Sequence, residues 1–420
     1  MIIDSKKYSG RCSCGVEHVM NTELCVIEAG CMARIDEYLK KYGLCGHSVA
    51  IYDKNTYNAR GLIRPRVNTE IMLPHEDLHA NERGVELLEA ELPESCDFLI
   101  AIGSGTVHDL TRYCAYKRNI PFVSCPTAAS VDGFCSSVAA MTWYGYKKTF
   151  TAVAPKIVLA DLNVISKAPM RLSLSGFGDM IGKFIALTDW KISNIIKGEY
   201  FCEKIFSMTL DATKAVLESA EGIKRGEVSA FEHLTYGLLL SGIAMQLLGN
   251  SRCASGAEHH ISHLIEMQPP SLSLSSSALH GEKVGVGTLL ACREYHKICA
   301  CTPGFSDYTP ANASEIENVF GAELGESIVK ENADDVCAGI SADLLKKNWS
   351  AVCNAVDSIP AESELIKVYK KLGMLSSLSA IGVPEKKLGL LLQYSPLVRN
   401  RLTLMRLRRA IKIKNEKISL

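Results

Sequence analysis

What the 420-residue chain lacks narrows its function first. No run of eighteen apolar residues occurs, so no segment reads as a membrane-spanning helix. The most apolar long stretch, residues 234–248, is broken by Tyr236, Gly237, Ser241, Gly242 and Gln246 and reads as a buried helix of a large helical domain. Neither sign of charge is in excess: 46 Lys and Arg face 46 Asp and Glu. That excludes a nucleic-acid binder relying on overall charge, and a disordered acidic chain. With 14 Pro and 31 Gly, collagen-like and low-complexity classes are excluded too. The opening MIIDSKKYSGRCSCG has no apolar core ahead of a small-residue cleavage site, so no secretory signal is expected. Cysteine is not scarce, but sixteen in 420 falls far below the ~8–10% of a disulfide scaffold. Several cysteines (Cys114, Cys125, Cys292, Cys299) sit in or beside apolar runs, as buried thiols do, and a reducing cytoplasmic compartment is expected. The charge balance is uneven in one place. Residues 399–420 carry eight Lys/Arg and one Glu, so this +7 tail sits on a body of −7.

What is present divides the chain. Up to about residue 165, short apolar runs at 47–53, 97–103, 121–125 and 156–161 alternate with helical patterns at 27–42, 81–91 and 109–117. Strand, helix, strand in this order predicts parallel pairing in a doubly wound, Rossmann-like α/β domain. Beyond about residue 168 the segments 178–196, 202–221, 229–248, 257–267, 280–299 and 362–372 are helical in pattern and β runs nearly vanish. Two domains are expected, 1–168 α/β and 169–420 all-α. The serine-rich stretch 271–277 reads as a loop. Leu402, Met405, Ala410 and Ile413 give the basic tail one apolar stripe, and a solvated amphipathic helix packed on its own domain is expected there.

Three groups of residues point to chemistry. Gly103-Ser104-Gly105-Thr106-Val107-His108-Asp109 follows an apolar run and opens a helical one, where free backbone N–H groups favour a phosphate. The ordinary dinucleotide fingerprint needs a third glycine at position 108, and His108 stands there. Pro126-Thr127-Ala128-Ala129-Ser130-Val131-Asp132-Gly133 follows the next run, where open α/β sheets bind ligands. Asp179, the histidines of Glu258-His259-His260-Ile261-Ser262-His263, and His280 could hold a divalent cation. His259 and His263 are i,i+4 and share a helix face. The pattern is not HExxH, which counts against a metalloprotease, and spacing alone does not choose the ligand among His259, His260 and His263. A fourth group, Cys12, Cys14 and His18, has no second ligand pair at structural-site spacing, so buried thiols are expected rather than a closed zinc site.

Taken in order, GSGTVHD, PTAASVDGFCS, GFGDMIGK, SRCASGAEHHISH and HGEKVGVG resemble the sn-glycerol-1-phosphate dehydrogenase family, including its AraM-type branch. That family sits among the iron-containing alcohol dehydrogenases, glycerol dehydrogenases and dehydroquinate synthases. The resemblance covers about residues 10–300. It implies that Gly103, Ser104, Gly105, Thr106 and Val107 bind the pyrophosphate of NAD, with NADP possible, and that Asp109 braces the turn. It implies that Thr127, Ala128, Ala129, Ser130 and Ser136 line the nicotinamide nucleotide, that Asp132 contacts substrate, and that Asp179, His259 and His280 hold one zinc, nickel or iron ion. His263 would then stand beside the substrate as proton relay. Asp53, ending an early strand, can accept hydrogen bonds from a ribose and repel a 2′-phosphate. Lys147, Lys148 and Lys183 are candidates for a substrate phosphate, Lys183 because it is i+4 from Asp179. The expected activity interconverts dihydroxyacetone phosphate, a small phosphorylated three-carbon substrate, and sn-glycerol 1-phosphate, in a homodimer with no membrane insertion and no nucleic-acid partner. A glycerol dehydrogenase, a dehydroquinate synthase-like cyclase and a silent binding scaffold are the rival readings. The cyclase normally carries Glu where Asp179 stands.

Overall fold

The computed structural model describes residues 1–413, and its contacts divide them into two units. Seven strands form the sheet of the first: β1 (Ile2–Asp4), β2 (Leu24–Glu28), β3 (Ser48–Asp53), β4 (Thr69–Leu73), β5 (Phe98–Gly103), β6 (Phe122–Pro126) and β7 (Ile157–Asp161). Their order is β1-β2-β7-β6-β5-β3-β4. All neighbours are parallel except β1 and β2. Every residue of β3, β5, β6 and β7 is buried, which is why these segments read as continuous apolar runs rather than alternating ones. Helices α1 (Ile35–Lys41), α2 (Glu82–Glu91) and α3 (Gly105–Lys117) connect them. The α/β class and all four expected strands are present.

One reading is corrected here. Residues 27–42 are not one helix: β2 runs to Glu28, a 3-10 turn spans Cys31–Arg34, and α1 begins at Ile35. Leu-Cys-Val-Ile is a buried strand paired with β7, from Leu24↔Ile157 to Asp161↔Glu28.

The division of the chain also differs from a single cut at 168. The first unit is Met1–Met180 with Ser207–Ser251; the second is Ile181–Phe206 with the described residues from Arg252 onward. The helical segment 228–248 explains the difference. It forms α6 (Val228–Leu248), buried on nearly all sides, but within the sheet-bearing unit. A Cβ on Gly242 would stand 2.8 Å from the Cβ of Cys135, so only glycine lets the helix lie this close to the 3-10 turn Asp132–Cys135. Gln246 Nε2 donates to Thr22 Oγ1, and its Oε1 accepts from Asn21 N, tying the same helix to the chain ahead of β2.

The second unit is helical. Here α5 (Lys183–Lys197), α7 (Ala257–Met267) and α8 (His280–Ala300) converge on the fully buried carboxylate of Asp189. It accepts from Ala257 N at the start of α7, from Leu404 N in the C-terminal segment, and from Tyr295 Oη on α8. The basic tail, read as one solvated amphipathic helix, is corrected. Over its described residues it is a short helix Leu404–Leu407, a 3-10 turn Arg408–Ala410 and a strand Ile411–Lys412. Arg406 is fully buried and pairs with Asp335 at 2.8 Å. Thr403 Oγ1 caps the short helix by accepting from Arg406 N. Residues 414–420 of that tail lie outside the described residues.

Candidate active site

The glycine turn sits where the sheet register puts it. Gly103 ends β5 opposite Pro126, the end of β6, so both candidate loops leave the same edge of the sheet side by side. Thr127 N donates to Gly103 O. Ser104 is the N-cap of α3 and its side chain makes no cap bond, so the first N–H groups of the helix are not taken up by the capping side chain. Asp109 braces this turn through Arg112. The two pair at 3.3 Å, and the buried guanidinium donates to the carbonyls of Gly133, Phe134 and Val138. The turn after β5 and the loop after β6 are thus clamped together. His108, in the third-glycine position, is buried; its Nδ1 donates to Ser104 O, and burial drops its pKa to about 3.

Along the second loop, Thr127, Ala128, Ala129, Ser130 and Ser136 are all buried. Ser130 O accepts from Ser175 Oγ, and Ser136 Oγ accepts from Val138 N. Helix α4 (Met170–Ile181) presses on this loop: a Cβ on Gly176 would stand 2.0 Å from Ala129 O. Near the end of α4, Asp179 is fully buried and its Oδ2 accepts from Asp132 N at 3.0 Å. Asp132 Oδ2 in turn accepts from Ser241 Oγ of α6. Asp53 caps the short helix Lys54–Tyr57 by accepting from Thr56 N, so one of its oxygens is committed to the backbone.

In the second unit α7 carries His259 and His263 on one face, and α8 opens on His280. The three rings form a cluster, with centroids 5.4 Å apart for His259–His280, 6.0 Å for His263–His280 and 5.9 Å for His259–His263. His259 Nδ1 donates to Glu258 Oε1 at 2.6 Å, and His280 Nδ1 donates to Glu266 Oε1 at 2.9 Å. Each Nε2 is then an unprotonated lone pair, which is what a divalent cation requires of a histidine. The donor set fits a metal. His263 has no such carboxylate: its Nδ1 is buried without a partner, and burial first, then neighbouring positive charge, hold it well below the usual imidazole range despite Glu266. His260 is fully buried among arginines and likewise neutral. A second ligand set is close at hand, since donor atoms of His263, Glu266 and His280 lie within 4.8 Å of one another. Glu266 Oε1 already serves His280 and Lys283 Nζ, which fits an orienting carboxylate better than a ligand.

Sequence reading missed Glu258 and Glu266. The signal was present, since Glu258 adjoins His259 and Glu266 is three residues past His263, but nothing in spacing separates an orienting carboxylate from a solvated one. The expectation for Lys183 is also corrected. It does not continue the helix of Asp179; α4 ends at Ile181, α5 begins at Lys183, and its buried Nζ donates to Ala254 O. Lys147 and Lys148 lie on a hairpin, Val138–Trp143 with Tyr146–Thr151, and Lys148 is exposed there.

Comparison with known proteins follows the same lines. The profile of the iron-containing alcohol dehydrogenases matches residues 26–169. Sulfoacetaldehyde reductase from Bifidobacterium kashiwanohense, solved in complex with NAD+, shares the fold with a TM-score of 0.58 at 13% identity, over 93% of this chain and 97% of that one. The fold is therefore that of the iron-containing alcohol dehydrogenases. Within it, the chain is 38% identical over 260 residues to the glycerol-1-phosphate dehydrogenase [NAD(P)+] of Geobacillus thermodenitrificans, covering 60% of this chain and 64% of that relative. It is 33% identical over 387 residues to the enzyme of the same name from Geobacillus stearothermophilus, covering 89% of each. The chain belongs to the glycerol-1-phosphate dehydrogenase family. Among the described residues no helix is long and apolar enough to cross a membrane.

Proposed function

We propose that the chain is a metal-dependent, NAD(P)-linked dehydrogenase that interconverts dihydroxyacetone phosphate and sn-glycerol 1-phosphate. The observation that carries the reading is the pair His259 and His280, each donating Nδ1–H to a carboxylate, so that Nε2 is the unprotonated nitrogen of each ring. The names of the two Geobacillus relatives support the substrate.

In this reading Asp179, His259 and His280 hold one divalent ion, and the turn 103–107 and the loop 127–136 hold the dinucleotide, with Asp53 at its ribose. When bound, the cation supplies positive charge at the C2 oxygen of the substrate and the nicotinamide supplies or takes the hydride. The chain's own residues do the rest. Asp132 orients the substrate, its backbone fixed by Asp179 and its carboxylate by Ser241. His263 moves the proton at the C2 oxygen; a neutral imidazole accepts the hydroxyl proton in the oxidation direction. Lys183 remains the lysine candidate for the substrate phosphate, its Nζ also donating to Ala254 O. We further propose a cytoplasmic homodimer, which light scattering on the purified protein tests.

Purified protein incubated with NADH, dihydroxyacetone phosphate and a divalent metal should consume NADH, and chiral analysis of the product should give the sn-1 isomer. Asp179→Asn should lose metal and activity together; a fully active, metal-replete variant overturns the ligand set. His263→Ala should keep metal and lose turnover. Loss of metal instead would favour the set His263, Glu266 and His280.

A further inference from the structure

The Cys12, Cys14 and His18 group is not the set of buried thiols that its sequence suggested. Residues Gly10–Arg11 and Glu17–His18 pair as a tight antiparallel hairpin, and the loop between them closes on itself. Cys12 N donates to Val16 O and Gly15 N donates to Cys12 O, with Gly15 at φ +88° where a side chain would be strained. This knuckle turns both thiols toward the imidazole. One donor atom from each of the three residues lies within 4.8 Å of the others, and Cys14 Sγ is 3.3 Å from His18 Nε2. Around a tetrahedral zinc, with Zn–S near 2.3 Å and Zn–N near 2.0 Å, ligand atoms are separated by about 3.5–3.8 Å. Cys14 Sγ and His18 Nε2 already stand close to that spacing. The imidazole is prepared as well: buried His18 Nδ1 donates to Leu247 O at 2.7 Å, which leaves the Nε2 lone pair facing the thiols. Cys12 and Cys14 themselves are only half-buried, so a cation can reach them.

We propose that Cys12, Cys14 and His18 bind a zinc-class cation as a second, structural metal site, separate from the catalytic one. Its place in the fold gives it a task. Leu247 lies in the last turn of α6, and α6 carries Ser241, which holds the Asp132 carboxylate, and Gln246, which holds the loop at Cys135 and the chain at Thr22. A cation at the knuckle ties the N-terminal hairpin to the end of the helix that supports the substrate loop.

The test uses the intact enzyme. Stripped protein reloaded with cobalt(II) should show thiolate-to-cobalt charge-transfer absorption in the near ultraviolet. The proposed catalytic ligands are oxygen and nitrogen only and produce none, so His280→Ala should keep the band. Its intensity counts thiolates: two correspond to the knuckle alone, three to the knuckle closed by a further cysteine, and both support the site. The double variant Cys12→Ser/Cys14→Ser should lose the band and one equivalent of bound zinc, and keep the catalytic equivalent. Wild-type protein without the band, or a band that survives in the double variant, overturns the proposal. Both outcomes are read independently of dehydrogenase activity, so a failure here leaves the functional reading untouched, and the reverse.

Discussion

Glu258 and Glu266 set the character of the histidines beside them. Each accepts a hydrogen bond from the Nδ1–H of a nearby histidine and so fixes its tautomer, while burial keeps His263, which has no carboxylate at Nδ1, neutral. Glu266→Gln weakens the anchor of His280 without removing the ring. Metal affinity should fall by roughly 10–100-fold, as is usual for partners of metal-bound histidine, and a competition titration with a chelating dye reads it. Asp189 acts one shell of packing further out. Burial pushes its pKa up to about 7 from an ordinary 3.8, against the lowering effect of Leu404 N, Ala257 N and Tyr295 Oη. A carboxyl with a raised folded pKa keeps a proton that the unfolded chain releases. Its contribution to stability is complete below about pH 4 and is lost as pH rises to about 7, by up to about 1.4 kcal/mol per unit. Asp189→Asn cannot titrate. The stability of wild type relative to this variant should therefore fall from pH 4 to 7; a constant difference across that window contradicts the assignment.

At the level of elements, the loop after β6 depends on how closely two helices approach it. Alanine at Gly176 would place a Cβ 2.0 Å from Ala129 O, backbone that cannot swing aside. Gly176→Ala should shift the loop 127–130, raise the KM for the dinucleotide by about tenfold or more, and cost on the order of 1–3 kcal/mol of stability. Unchanged KM and melting temperature would mean that α4 can slide. The strands around this loop were legible because each is buried on both faces and reads as an apolar run. The hairpin 138–151 was not legible. Its turn is Tyr144-Gly145 with both φ positive, and tyrosine at such a position lacks the Asn-Gly signature that marks these turns. The Cys12–His18 knuckle was hidden in the same way, since its cysteines and histidine are declared by the sequence but their convergence comes from a hairpin of two-residue strands too short to predict.

At the scale of the whole molecule, the first unit needs chain from well beyond residue 168. A fragment 1–168 leaves the turn Asp132–Cys135 without α6, and Asp132 without both Asp179 and Ser241. It should show no cooperative melt by circular dichroism and no NADH binding by fluorescence, whereas a fragment 1–251 should melt cooperatively. A folded, NADH-binding 1–168 would overturn the division. The local composition of the sequence determined a good deal by itself. It specified the parallel sheet through its buried runs, the glycine turn at the start of α3, and the pairing of His259 and His263 on one face. Periodicity and turn chemistry act over a few residues, and these features are made within a few residues. Only the tertiary structure decided that α6 belongs with the sheet, that the basic tail buries Arg406 against Asp335, and which carboxylate orients which histidine. Those outcomes depend on which surfaces far apart in the chain exclude water together, and burial of that kind leaves no mark in the spacing of residues along a sequence.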